Sequence, residues 1–163
     1  MAGQHEEQSR GVVTNIHVAP AAGSPMHPVD EVLAVEGKGL AGDRYFAGAG
    51  TYSSTKPTGR HVTLVETEVL DSLRRDYDID LPPAKTRRNI ATRGVSLNDL
   101  VGREFTIGAV RLRGVDLCEP CAHIAEVAGG KNVLRGMVHR GGLRADIVSG
   151  GTIHIGDTVE AVD

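Results

Sequence analysis

Short stretches of alternating or continuous apolar residues recur along this chain, separated by polar and glycine-rich breaks. Residues 12–18 (VVTNIHV) read as a first strand, after a polar segment over residues 1–11 expected to be a flexible tail. The run APAAGSPMHP breaks any period and reads as a loop. Residues 31–35 form a second strand candidate. The next 23 residues, 37–59, show little periodicity, and loops of that length are usually functional or disordered. Residues 61–65 alternate into another strand. The strongest helical period follows over 66–77, with Val69, Leu70, Leu73 and Tyr77 on one side and Asp71, Arg74 and Arg75 on the other.

Beyond the DLPPAK break, residues 89–92 suit a short strand and SLNDLVG a single helical turn. Residues 103–107 and 110–115 read as a hairpin turning at Gly108-Ala109. Residues 119–128 read as a helix, and GGKNVLRGMVHRGGL is ambiguous. Strands over 144–148 and 152–155 and a last strand over 158–162, entered through Gly156-Asp157, complete the pattern. About eight short strands with two or three helices imply a mainly β fold. Helices do not alternate regularly with strands, so a closed or partly closed β-barrel is expected rather than a doubly wound sheet. Residues 12–163 are expected to form a single domain.

Composition narrows the function classes. The chain has 163 residues, enough to bury a core without a disulfide or metal staple. A net charge of -3 gives no overall attraction to nucleic acid, and the absence of Trp with only three Tyr and two Phe leaves little for base stacking. No apolar run reaches the length of a membrane span, and the first residues lack the basic-then-apolar order of a signal peptide. The expectation is a cytoplasmic protein, with no nucleic-acid or membrane partner and both cysteines reduced.

Those cysteines stand together in GVDLCEPCAH. Pro120 suits the first turn of a helix, which places Cys121 inside that turn and Cys118 at the end of the preceding strand. Cys121, Ile124, Ala125 and Ala128 then share one inward face. A helix start favours the thiolate, the form that ligates soft metals or attacks sulfur. Four readings stay open from the residues alone. The two cysteines are inert core, half of a zinc site, a redox dithiol, or the setting for one functional thiolate, Cys121. Zinc needs two further ligands, and Cys-x-x-Cys-x-His is not a usual spacing, so no zinc is expected. A redox dithiol normally lies beside a βαβ pattern, and none is apparent.

Three basic or glycine-rich stretches could meet an anion. KTRRNIATRG carries Lys85, Arg87, Arg88 and Arg93, with Asn89 and Thr92 as neutral donors. If Asn89 starts a strand, Arg87 and Asn89 share a face, could grip one anion together, and leave Arg88 on the other face. The alternative is a solvated edge that discourages strand pairing. KNVLRGMVHRGGLR supplies Arg140 and Arg144 beside glycines. In GKGLAGDRY the preferred role for Asp43 is structural, bonding its own turn or holding Arg44.

Taken in order, GLAGDRY, GRHVTLVETE, RRNIATRGVSLNDLVGREFTIGAVRL, CEPC and RGGLRADIVSGGTIHIGDTV resemble a MOSC domain, the module named after the C-terminal domain of molybdenum cofactor sulfurase. The resemblance runs from about Val12 to Val162. It implies a β-rich, closed or nearly closed barrel. It also implies a cysteine that handles sulfur or ligates molybdenum of a bound molybdopterin, at the position of Cys121, and an Arg-x-Asn anion-binding element at Arg87 and Asn89. Thr92 and Arg144 complete the expected cofactor-binding set. A molybdopterin carries a phosphate and a dithiolene, so a basic grip and a thiolate ligand suit it together.

Two functions follow from the resemblance. One is a molybdenum-cofactor-binding protein, reducing N-hydroxylated substrates with electrons from a separate donor protein. The other is a sulfur carrier that forms a persulfide on Cys121 with a sulfur donor and passes sulfur to a partner. A pyridoxal-phosphate sulfurase domain or an iron–sulfur domain, which accompany the module in some relatives, has no counterpart expected in this chain.

Overall fold

The computed structural model describes residues 9–21, 23–44, 46, 61–118 and 131–162. Eleven strands are found among them: β1 (Ser9–Val18), β2 (His27–Val29), β3 (Glu31–Val35), β4 (Gly39–Leu40), β5 (Val62–Glu66), β6 (Ile90–Val95), β7 (Glu104–Ile107), β8 (Val110–Leu117), β9 (Leu143–Ser149), β10 (Gly151–His154) and β11 (Thr158–Ala161). The two α-helices among these residues are α1 (Thr67–Tyr77) and α2 (Lys131–Met137), with short 3-10 turns over Pro83–Thr86 and Leu97–Leu100.

Seven strands close into a barrel in the order β11-β7-β8-β9-β5-β6-β1, with β1 returning to β11. The long β1 serves two neighbours on one side. Its first residues pair with β11 (Arg10 opposite Glu160), and its last pair with β2 (Val18 opposite His27). Inward residues fill the barrel: Val13, Ile16, Leu64, Ile90, Phe105, Ile107, Leu112, Leu143 and Val159 are all buried in one cluster. A second sheet, β10-β3-β4, adds Val32, Ala34, Leu40 and Ile153 to that cluster.

The expected mainly β, closed-barrel class is therefore what the chain adopts. The β7–β8 hairpin turns at Gly108-Ala109 as read, and Gly108 takes φ +58°, which a two-residue hairpin loop favours at its first position. α1 ends where Asp78 adopts a left-handed conformation. Its N–H donates to Arg74 O and the N–H of Ile79 to Leu73 O, so two late carbonyls are satisfied.

Several features depart from the sequence reading. β1 begins at Ser9, so residues 9–11 of the expected tail are strand, and Gly39–Leu40, inside the expected loop over 37–59, form β4. APAAGSPMHP was expected to be a loop throughout, yet His27 and Pro28 begin β2; Pro28 is tolerated because β2 is an edge strand, paired with β1 alone. The ambiguous segment forms α2. Gly136 lowers its helical signal, but a Cβ there would lie 2.3 Å from Leu73 Cδ2, so the glycine permits close crossing against α1. Finally, β5 and β6 pair in parallel across α1, a βαβ crossover where none was apparent. The outer faces of β5 and β6 (Val65, Ala91) pack on Val69, Leu73, Val133 and Met137 of the two helices. The expected helix over 119–128, and most of the 37–59 loop, lie outside the described residues.

Candidate functional site

The basic segment approaches β6 through a tight turn. Thr86 closes the 3-10 turn by donating its hydroxyl to Pro83 O at 2.6 Å and accepting the N–H of Arg88 at 3.2 Å. Arg87 then takes φ +66°, a left-handed backbone, and the strand begins only at Ile90. The simple alternation expected for residues 87–91 is thus broken, and the three polar residues before β6 go to different tasks.

Arg87 donates a guanidinium N–H to Ser24 O and accepts Arg44 Nη2 on its own carbonyl at 3.1 Å. Asn89 is 0% exposed and spends its whole amide. Its Oδ1 accepts from the Thr63 N–H (3.1 Å) and hydroxyl (3.2 Å), while Nδ2 donates to His17 O (3.1 Å) and Asp43 Oδ1 (3.2 Å). Both donors and both lone pairs are in use, so Asn89 frames the site and offers no further amide N–H.

Asp43 is the hub of this network. Its Oδ1 also accepts the N–H of Ala19 and Arg44 Nη1, each at 3.0 Å, and both Asp43 and Arg44 are at least 95% buried. The structural role expected for Asp43 is observed, extended to a distant strand end. A buried ion pair of this kind is costly to split, since either partner alone would be an uncompensated charge. His17, on β1 beside Asn89, is also buried; burial holds its pKa below the usual histidine value, and Nδ1 has no hydrogen-bond partner among the described residues.

Arg88 turns toward the cysteine segment. It is 7% exposed and donates Nε to Gly141 O at 2.9 Å, Nη1 to Thr86 O at 3.2 Å and Nη2 to Cys118 O at 3.1 Å. Cys118, itself buried, donates its N–H to Gly142 O at 2.7 Å. Residues 30 apart in sequence are thereby joined, and the residue that links them is the arginine assigned to the opposite face by alternation. Gly142 makes the approach possible: at φ +127°, a Cβ would lie 2.1 Å from Leu64 O.

Arg144 follows on β9, directly opposite Thr63 of β5, whose hydroxyl and N–H bond Asn89. Arg144 and Asn89 therefore flank the same residue. Arg144 is partly exposed and stands 3.8 Å from Asp116. Thr92 is set apart, three residues along β6 from Asn89, or roughly 10 Å. It is fully buried, and its hydroxyl has no partner among the described residues. Cys121, the expected catalytic and molybdenum-ligating residue, lies outside the described residues, as do Glu119 and His123. No cluster of three or more His, Cys, Asp or Glu able to hold a metal is found among the described residues. No helix among them is long and apolar enough to cross a membrane.

The family model of the MOSC domain matches residues 30–160. The chain belongs to the MOSC domain family. That family is associated with the molybdenum cofactor, which supports a cofactor-related role for this MOSC domain. No curated protein sequence matches it. Among solved structures, the YuaD protein of Bacillus subtilis superposes with a TM-score of 0.79 at 18% identity, covering 93% of this chain and 95% of that one. YiiM of Geobacillus stearothermophilus gives 0.68 at 14% identity (94% and 75% covered), and YiiM of Escherichia coli 0.61 at 19% (94% and 70%). At these identities the likeness establishes the shared fold alone.

The three buried or half-buried residues that sequence reasoning passed over as site members are Arg44, Arg88 and Gly142. Glycines beside the basic clusters were a usable signal for Gly142. Alternation placed Arg87 on the site face and Arg88 away from it, because alternation does not register the left-handed residue that ends the 3-10 turn at Arg87.

Proposed function

We propose that this MOSC domain binds the molybdenum cofactor at the end of the barrel where β5 and β6 begin, with Cys121 as the thiolate ligand of molybdenum. The observation that carries the reading is the bond between Arg88 and the carbonyl of Cys118, which ties the start of the C-x-x-C segment to the basic segment. The donor set suits an anionic pterin. Arg44 pairs with Asp43 and bonds the carbonyl of Arg87, Arg88 reaches the carbonyl of Cys118, and guanidinium forks match phosphate oxygens. In this reading Arg87 and Arg144 hold the phosphate. Asn89 keeps Thr63 and Asp43 in place beside it, and Thr92, the neutral donor expected from the same basic segment, is the outlying member, further along β6 with an orphan hydroxyl. A bound cofactor would supply two-electron chemistry at molybdenum, suited to reducing N-hydroxylated substrates with electrons from a separate donor protein.

Metal and pterin analysis of protein purified from a cofactor-competent host tests this. About one molybdenum per chain is expected, lost in Cys121→Ser because an alcohol replaces the soft thiolate ligand. Absence of molybdenum from both proteins refutes the reading.

A further inference from the structure

We propose that His17 is a further binding residue of the anion site, meeting the uncharged ring of a phosphorylated pterin through Nδ1. The proposal rests on the cofactor reading above. It adds the residue that tells a phosphorylated heterocycle from phosphate alone.

Alternation along the strands places His17. Its neighbours Ile16 and Val18 pack with the barrel interior, so the His17 side chain leaves β1 on the outer face. The same holds for Thr63, between the interior residues Val62 and Leu64, and for Arg144, between Leu143 and Ala145. Asn89, next to interior Ile90, bonds the Thr63 hydroxyl on that face. His17, Asn89, Thr63 and Arg144 thus form one row across β1, the start of β6, β5 and β9, which are neighbours in the sheet. The N–H of His17 donates to Asn89 O at 2.6 Å, the N–H of Asn89 donates to Thr63 O at 3.0 Å, and Thr63 stands opposite Arg144.

The two ends of this row differ in chemistry. Arg144 brings a permanent cation. His17 is 5% exposed, and burial holds its pKa below the usual histidine value, so its ring is uncharged at neutral pH. A neutral imidazole keeps one N–H and one lone pair. Whichever tautomer is present, Nδ1 is therefore an unmet donor or acceptor, with no partner among the described residues. Buried polar atoms are nearly always paired, so one left over at the end of a polar row marks a place for a ligand's own hydrogen-bonding group. The backbones of His17 and Arg144 stand three strand spacings apart, about 14 Å. A free phosphate cannot reach across that distance. An anion joined to a fused ring with amide and amine edges can, with its phosphate toward Arg144 and its ring edge toward His17.

The test compares two probes, a phosphorylated pterin and inorganic phosphate, on the full chain and on His17→Phe, which keeps a flat ring and removes both nitrogens. Calorimetric titration should show affinity for the phosphorylated pterin falling about tenfold in His17→Phe, with affinity for phosphate unchanged. His17→Asn, whose amide takes the place of Nδ1, should recover most of the loss; no recovery removes Nδ1 as the contact. Equal affinity of the parent and His17→Phe for the pterin overturns the proposal. So does an equal loss for both probes, which makes His17 a structural support and nothing more. Should His17→Phe not fold, the nitrogen-15 signal of His17 Nδ1 in the parent decides. It should shift with the phosphorylated pterin and stay in place with phosphate; a signal unmoved by the pterin, or moved alike by both, overturns the proposal. A parent that does not bind the phosphorylated pterin at all refutes the cofactor reading itself, and the proposal with it.

Discussion

The two parallel strands β5 and β6 have chemically opposite ends. At their beginning, Arg44, Arg87 and Arg88 gather with Asn89 and Asp43, and guanidinium groups satisfy the carbonyls of Thr86, Arg87, Gly141 and Cys118. At their end, Glu66, Glu68 and Asp99 line an open hollow of about 350 Å³ with Gly94, Val95 and Ser96. There carboxylates satisfy backbone donors instead, Glu66 taking the N–H of Leu97 at 3.2 Å and Glu68 that of Gly94 at 2.6 Å. One device is used twice with the sign reversed: cations cap exposed carbonyls, and anions cap exposed N–H groups. The difference lies in depth and connection. The basic end is built from buried side chains bonded to one another and to the cysteine segment. The acidic end is shallower, and among the described residues none of its bonds leads to Cys118.

That contrast predicts a ranking of effects. The largest belongs to Asp43→Ala, which strips the buried Arg44 of its carboxylate and Asn89 of an acceptor; a loss of about 3–5 kcal/mol is expected, read by chemical denaturation. An effect below 1 kcal/mol would show the basic end to be no more built than the acidic one. Gly142→Ala comes next. The new methyl would meet Leu64 O in a backbone conformation that alanine avoids, so a loss of about 2–3 kcal/mol is expected, with faster exchange at Cys118, whose N–H bonds Gly142 O.

The smallest effect is at the acidic end, and it has the opposite sign. Burial raises the pKa of Glu66 above its usual value, the N–H of Leu97 lowers it, and the neighbouring charges of Glu68 and Asp99 push it up again. A carboxyl with a raised folded pKa holds more protons in the folded than in the unfolded chain as pH climbs from the ordinary carboxylate range to that raised value. Stability is therefore lost across that window, and the loss is complete above it. Glu66→Gln should accordingly stabilise the protein slightly at neutral pH, by about 0.5 kcal/mol, and the gain should vanish as pH falls through the carboxylate range. A destabilised variant at neutral pH would mean that the Leu97 bond outweighs the burial of charge.

Much of this was legible in the sequence, for identifiable reasons. Val69, Leu70 and Leu73 announce α1 because they repeat at the helical period, and the short alternating runs announce the barrel strands because each faces one filled interior. The parallel pairing of β5 with β6 was hidden because α1 and a 3-10 turn together form the crossover, and the turn carries no period. The site was half legible. Basic residues near Asn89 could be read as one cluster, and C-x-x-C as another, but their meeting depends on Arg88. Its direction follows from the left-handed backbone at Arg87 and from the room left by Gly142, neither of which is written in local alternation.

The central claim is that the basic segment and the cysteine segment form one anion-binding site. Titrating isotope-labelled protein with a phosphorylated pterin, while following backbone amides, tests it most directly. Perturbations gathered at Arg87, Arg88 and Asn89, at Cys118 and at Gly141 to Arg144 are predicted. Perturbations confined to the hollow around Glu66, Glu68 and Asp99, or none at all, would contradict it.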